Sequence, residues 1–268
     1  MITIIIPTIG RNATFKDAFY SAARCEVSEV AEIIIADNSQ EESFSKNLEE
    51  LRRVDSRVRI LSYENRLDMA ASWSVAAREA SSEWIIYLHD DDILYPAALS
   101  RIVPKLDDSY AFVFCNFDIL KNNKTRSYKY SVASSNMEKI AINTPKFVST
   151  IISRNYLLQS GSWKMENGFF LDLVGFVEMA ALASILHLPE VIGTYRIHEG
   201  NASSIANRDK GYGDAFGRAL SSIFEKVGDA NIRRMILLQM LSCAYPLQGG
   251  LARRIAARLL TRFGFAIF

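Results

Sequence analysis

The chain has 268 residues, 49% of them hydrophobic, with 31 basic and 30 acidic side chains and a net charge of +1. That length builds one large domain, or a domain and a half, with its own core, so no disulfide staples are required. The balanced charge excludes general nucleic-acid binding, and Cys25, Cys115 and Cys243, odd in number and without metal-type spacing, read as thiols of a reducing compartment, the cytoplasm.

The N-terminus runs directly into Ile2–Ile6 and stops at Pro7, too short and too little basic for a signal-peptide core. No stretch approaches the roughly 18 apolar residues of a membrane span. Ile2–Ile6 is β-branched and bounded by Pro7, Thr8 and Gly10, which predicts a strand buried on both faces. A helix is expected over residues 14–24, then a second strand over Ile33–Ala36 ending in Asp37-Asn38-Ser39. A helix near 44–53, a strand over 58–62, a helix over 69–80, a strand over Trp84–Leu88 and another over Ala111–Phe117 follow. Strands alternating with helices imply right-handed crossovers and a mainly parallel, Rossmann-like sheet with helices on both sides. In such sheets ligands sit beyond the carboxyl ends of the strands. Those ends carry Pro7-Thr8, Asp37-Asn38-Ser39 and His89-Asp90-Asp91-Asp92, three polar clusters that should converge on one crevice.

After residue 120 the pattern changes. Residues 121–129 are polar and basic, like a hairpin or loop. Helical and mixed segments are expected through His187, a strand over Val191–Ile197, and helix from Tyr212 to the end.

Three consecutive aspartates after an apolar strand repel one another. Two carboxylates ~5 Å apart cost about 3 kcal/mol at an effective dielectric near 20. A divalent cation reverses that cost, and hard oxygen ligands suit Mg²⁺ or Mn²⁺ bridging to phosphates. The alternative is a solvated acidic turn capping the helix that begins near Pro96.

The stretch Ser81–Leu99, containing Leu88-His89-Asp90-Asp91-Asp92-Ile93-Leu94 and Pro96, resembles the D-x-D region of family 2 glycosyltransferases of the GT-A fold. Ile2–Pro7 is similar to that family's first strand, and Glu32–Ser39 to its second. Tyr195-Arg196-Ile197-His198-Glu199-Gly200-Asn201 resembles its closing Tyr-Arg-x-His-x-Gly segment. The resemblance implies an α/β GT-A fold with a donor-binding portion over 1–120, an acceptor-binding portion over 121–205 and a helical extension over 206–268. It implies an inverting, Mg²⁺- or Mn²⁺-dependent transfer from a nucleotide-sugar donor to a saccharide or lipid-linked saccharide acceptor, as in cell-surface glycan synthesis.

By that resemblance Pro7, Thr8, Asp37, Asn38 and Ser39 flank the donor nucleotide, with Asp37 facing the base or ribose. Asp91 is the metal carboxylate, with Asp90 a second candidate ligand, and Asp90 or Asp92 helps place the diphosphate or the sugar. Arg196 neutralises phosphate, and His198 contacts the metal or diphosphate, against a purely structural hydrogen-bonding role for that histidine. His89 departs from the family pattern by standing where its first acid is usual, although neutral imidazole also binds metal. Asn65–Ala77 resembles a helix start that presents N–H groups to the donor. Asp68 there stands where Gly is usual, either near the donor or as a cap of that helix.

The catalytic base is expected from a carboxylate heading the helix before the Tyr-Arg-x-His strand. The matching segment places Phe176 at that position, leaving Glu178 or Asp172 as candidates, or neither; Glu178 alternatively is a helix-start residue favoured by the dipole. Trp73, Trp84 and Trp163 read as core or acceptor-wall residues, with Trp163 the best candidate for the wall. Residues 251–268 combine four arginines with leucine, isoleucine and phenylalanine. That composition fits either a helix on the inner, anionic membrane face or one packed on its own domain or a subunit. The rival readings are a nucleotidyltransferase, disfavoured by the single glycine in Pro7–Arg11, and a degenerate sugar-nucleotide-binding or scaffold protein.

Overall fold

The computed structural model describes residues 1–10, 12–198, 201 and 212–244. Glu199 and Gly200 of the closing motif and the whole of 251–268 lie outside the described residues. The first half alternates β1 (Ile2–Thr8), α1 (Asn12–Ala23), β2 (Val30–Asp37), α2 (Glu42–Val54), β3 (Val58–Ser62), α3 (Met69–Glu79) and β4 (Trp84–Tyr87). A short strand β5 (Ile93–Leu94) and helix α4 (Pro96–Ile102) follow. The second half contains β6 (Tyr110–Lys121), β7 (Lys124–Tyr128), α5 (Asn136–Asn143), β8 (Thr150–Ser153), α6 (Arg154–Gln159), α7 (Leu171–Ala180), β9 (Ser184–Ile197), α8 (Tyr212–Lys226) and α9 (Ala230–Ala244).

All the strands join one sheet, ordered β3-β2-β1-β4-β8-β6-β9-β5, with β7 added on β6. β3, β2, β1 and β4 are parallel, as the alternation of strands and helices implies. The second half is mixed, because β8 runs antiparallel to both β4 and β6, while β6 and β9 are parallel. Two antiparallel steps restore the original direction, so the carboxyl ends of β1, β2, β4, β6 and β9 lie along one edge.

Period-two alternation divides the buried strands between two cores. Ile4, Ile6, Ile33, Ile35 and Ile86 pack with α1, α2 and α4 on one side. Ile5, Ile34, Ile85, Tyr87, Phe112 and Phe114 pack with α3, α5, α7, α8 and α9 on the other. Each such isoleucine is wholly buried and contributes about 1.5–3 kcal/mol. This two-sided burial is why these strands read as continuous apolar runs. Polar atoms pin the opposite end of the parallel half: Glu32 accepts from Thr3 Oγ1, the Ser81 N–H and hydroxyl, and Arg59 Nε at 2.9–3.0 Å. Burial alone would raise the Glu32 carboxyl, but the hydrogen bonds led by Ser81 outweigh it and hold the group below its ordinary range.

Two expectations need correction. His187 belongs to β9, one strand from Ser184, not to a helical or mixed segment. Pro189 interrupts the sequence pattern, but β9 absorbs it where its register with β6 jumps from Leu188 to Val191, and Asn116 Nδ2 donates to the Pro189 carbonyl at 2.8 Å. The aspartate triplet does not cap α4, whose N-cap is Tyr95 with β5 intervening.

Candidate active site

The edge formed by the carboxyl ends of β1, β4 and β9 gathers the polar clusters. Thr8, at the end of β1, donates its hydroxyl to Asp90 Oδ2 at 2.7 Å. A tight turn, Asp92 N–H to His89 carbonyl at 3.0 Å, brings the residues after β4 back on themselves. Asp92 Oδ1 accepts the Arg196 backbone N–H at 3.0 Å, which fastens this turn to β9. Asp91 Oδ2 lies 3.0 Å from His198 Nε2 and accepts from Asn201 Nδ2 at 3.2 Å. Asn201 also donates to the Arg196 carbonyl, so the closing motif wraps the carboxylate.

Asp90, Asp91 and Asp92 are all buried. Burial first, and then the neighbouring Asp91 charge, push the Asp92 carboxyl well above the carboxylate range; the Arg196 N–H opposes this and Asp90 adds to it. Asp92 Oδ2 is buried without a hydrogen-bond partner among the described residues. Ligand atoms of His89, Asp91 and Asp92 all lie within 4.8 Å of one another. Two hard carboxylates, one of them with an orphaned buried oxygen, and one imidazole fit a divalent cation, which would reverse the local repulsion. His89, rather than Asp90, completes this trio. Its ring packs 5.1 Å from Trp73 and 5.2 Å from Phe147, centroid to centroid.

At the end of β2, buried Asp37 accepts from the Ser39 N–H at 3.0 Å and from the Ser45 hydroxyl at 2.7 Å. Asn38 exchanges two hydrogen bonds with the Leu67 backbone, each 2.9 Å, and its own N–H donates to the Thr8 carbonyl. The β1 end, the β2 end and the approach to α3 are thereby one unit. Exposed Asp68 caps α3, accepting the Ala71 N–H at 2.7 Å, the structural alternative of its two readings. The Arg196 guanidinium turns to Asp17 of α1, 2.8 Å away.

Sequence register fails around α7. The helix starts at Leu171, so Asp172 stands in its first turn and Glu178 in its last. Glu178 is therefore not a helix-start residue. It is buried and paired with Lys164 Nζ at 2.6 Å. Phe176 is wholly buried between Phe112, Phe147 and Trp163. Asp172 is half-buried, and burial raises its carboxyl, offset in part by the Lys146 charge and the Leu173 N–H. Trp163 is not an exposed wall: it is buried, donating Nε1 to Tyr87 at 3.0 Å.

Sequence reasoning missed the roles of Asn201, Ser45 and Asp17. Asn201 closes the very motif that contains His198, and its position there is the one signal that could have found it.

Among proteins of known activity, a 116-residue stretch is 27% identical to GalNAc(5)-diNAcBac-PP-undecaprenol beta-1,3-glucosyltransferase of Campylobacter jejuni, covering 43% of this chain and 37% of the relative. A 124-residue stretch is 26% identical to UDP-Glc:alpha-D-GlcNAc-diphosphoundecaprenol beta-1,3-glucosyltransferase WfgD of Escherichia coli, covering 46% of this chain and 48% of that protein. The matches thus span less than half of either relative. Among solved structures, S. aureus TarS 1-349 with UDP-GlcNAc superposes with a TM-score of 0.72 at 12% identity, over 91% of this chain and 72% of TarS. The mannosyltransferase PcManGT of Pyrobaculum calidifontis, with GDP-Man and Mn2+, gives 0.61 at 11% identity, over 98% and 80%. These show the GT-A fold. The model of Glycosyl transferase family 2 matches residues 3–162, well over half of the chain, and the chain belongs to that family.

Proposed function

We propose that this chain transfers a hexosyl group, with inversion, from a UDP-sugar to a saccharide linked through diphosphate to a lipid. The observation that carries the reading is the convergence of His89, Asp91 and Asp92 with His198 and Asn201 on the carboxyl edge of a family 2 sheet. The UDP-sugar and lipid-diphosphate specificity is drawn from the names of the relatives.

In this mechanism Asp37, Asn38 and Ser39 hold the nucleoside, with Pro7 and Thr8 beneath it. His89, Asp91 and Asp92 would hold Mg²⁺ or Mn²⁺, which would supply positive charge beside the diphosphate leaving group. Asp172, at the head of α7, is the base: the acceptor hydroxyl oxygen bonds to the anomeric carbon and its proton passes to the Asp172 carboxylate. The bond from that carbon to the diphosphate oxygen breaks with its electron pair, releasing the nucleoside diphosphate. The raised Asp172 carboxyl suits a proton acceptor better than an ordinary surface aspartate would.

Titrating the protein with UDP-glucose and UDP-GlcNAc, with and without Mn²⁺, tests the donor. Asp91→Ala is expected to remove the metal dependence of binding with the fold intact, since Asp91 lies in the turn after β4 and belongs to neither hydrophobic core. Unchanged affinity and metal dependence in that variant would overturn the site. No helix among the described residues is long and apolar enough to cross a membrane. A lipid-linked acceptor, together with the arginine-rich and apolar composition of residues 251–268, supports a site of action at the cytoplasmic membrane face with those residues as the contact. Their deletion should release the protein from anionic vesicles, and salt should weaken binding of the full chain. Equal vesicle binding by both forms would count against that contact.

A further inference from the structure

β6 runs beside β9 to its last residue, Lys121, and turns back through Asn122 and Asn123, both with positive φ (50° and 59°), into β7. Asparagine tolerates that left-handed backbone, as a tight hairpin requires. Lys121 pairs with Lys124 and Ile119 with Arg126 on β7; on β9, Lys121 pairs with Ile197. Directly opposite residues share a face. Ile119, Lys121, Lys124, Arg126 and Ile197 therefore project from one face and, with Asn122, line a cavity of about 480 Å³. Ile119 packs against the same core as α7, so the groove opens on the side of the sheet that carries Asp172.

Lys121, Lys124 and Arg126 are exposed, and none forms an ion pair among the described residues. Lys46, Arg59, Lys105 and Arg196 all have carboxylate partners. Three unneutralised cations in one concavity repel one another, and a compact anion relieves that repulsion. The groove also adjoins the reaction edge, because Ile197 directly precedes His198, whose ring contacts Asp91.

We propose that this groove is the subsite for the diphosphate of the lipid-linked acceptor. The inference rests on the glycosyl-transfer reading above. Three cations match a diphosphate, and Ile119 and Ile197 offer apolar wall to the first carbons of the lipid. Concavity and the small number of cations favour a diphosphate over a bilayer surface, which a flat polybasic face would serve better. The donor's diphosphate has its place at the carboxylate site, so this groove answers to a second anion.

The test measures binding of geranyl diphosphate to the full chain in EDTA, with geraniol as the neutral control. The triple variant Lys121→Gln, Lys124→Gln, Arg126→Gln is expected to lose at least tenfold in affinity for geranyl diphosphate and to keep its Mn²⁺-dependent UDP binding. Added salt should weaken the unmutated chain's binding and leave the variant's residual binding unchanged. Equal affinity of the two forms overturns the proposal. So does loss confined to binding of phosphatidylglycerol vesicles, which would make the hairpin a bilayer contact. UDP-sugar binding by the unmutated chain is read separately; its absence would remove the glycosyl-transfer reading while the groove's cations are still tested by geranyl diphosphate.

Discussion

Asp172 and Glu178 share one helix but sit in opposite electrostatic settings. Asp172 occupies the first turn of α7, where the positive end of the helix dipole favours an anion, and it carries no salt bridge among the described residues. Glu178 is in the last turn, where the dipole disfavours an anion, and Lys164 holds it. Asp172→Asn should therefore lower kcat by ~10²-fold or more with UDP-sugar affinity nearly unchanged. Glu178→Gln should keep turnover and lose about 1–2 kcal/mol of stability, less than a fully buried pair because Lys164 reaches solvent. Steady-state kinetics and urea melts on both variants decide this, and the reverse pattern would restore Glu178 as the base. The pH dependence has a definite sign. A raised folded-state pKa means the wild type loses stability relative to Asp172→Asn as pH rises through it, while the acid limb of kcat/KM lies above the ordinary aspartate range. The carboxylate run and Asp37 were legible as residues because each follows an apolar strand. The sequence named both Asp172 and Glu178 as base candidates without choosing Asp172, since the buried face of α7 supplies Phe176 and Val177 where sequence matching sought a polar helix head.

At the scale of elements, α7 reaches His89 through rings. Phe176 packs on Phe147 at 5.7 Å, and Phe147 on His89 at 5.2 Å and on Trp163 at 5.1 Å. Gly175 makes that approach feasible: a Cβ there would lie 2.5 Å from Trp163 Cζ3. Trp163 cannot retreat without breaking its bond to Tyr87 and its contact with Trp73. Gly175→Ala should cost about 1–3 kcal/mol by overpacking, despite alanine's better helix propensity. It should also change tryptophan fluorescence. Stability equal to or above the wild type would show that the ring stack yields freely. The strands of the parallel half were predicted within a few residues because burial on both faces writes continuous β-branched runs. β9 was half missed because Pro189 and Glu190 bulge out between two good pairing stretches, a feature that local pattern cannot separate from a break.

Over the whole molecule, the sheet brings Thr8, Arg196, His198 and Asn201 from far along the sequence to three consecutive aspartates, where like charge accumulates. Asp92 is the residue that registers this most directly: buried, beside two other carboxylates, held by one backbone N–H and with one oxygen unpartnered among the described residues. Without a cation its ionised form opposes folding, so Asp92→Asn should raise the melting temperature in EDTA at neutral pH. With Mn²⁺ and UDP present the sign should invert. A ligand at 100 times its Kd adds about 2.7 kcal/mol to the folded state. The wild type should gain that increment, and the asparagine variant, lacking the anionic oxygen, should lose most of it. Melting curves of both proteins in EDTA, in Mn²⁺ and in Mn²⁺ with UDP give the comparison. If Asp92→Asn is destabilising in EDTA, or if Mn²⁺ with UDP stabilises both proteins equally, the triplet is a structural cluster and its burial serves the fold alone.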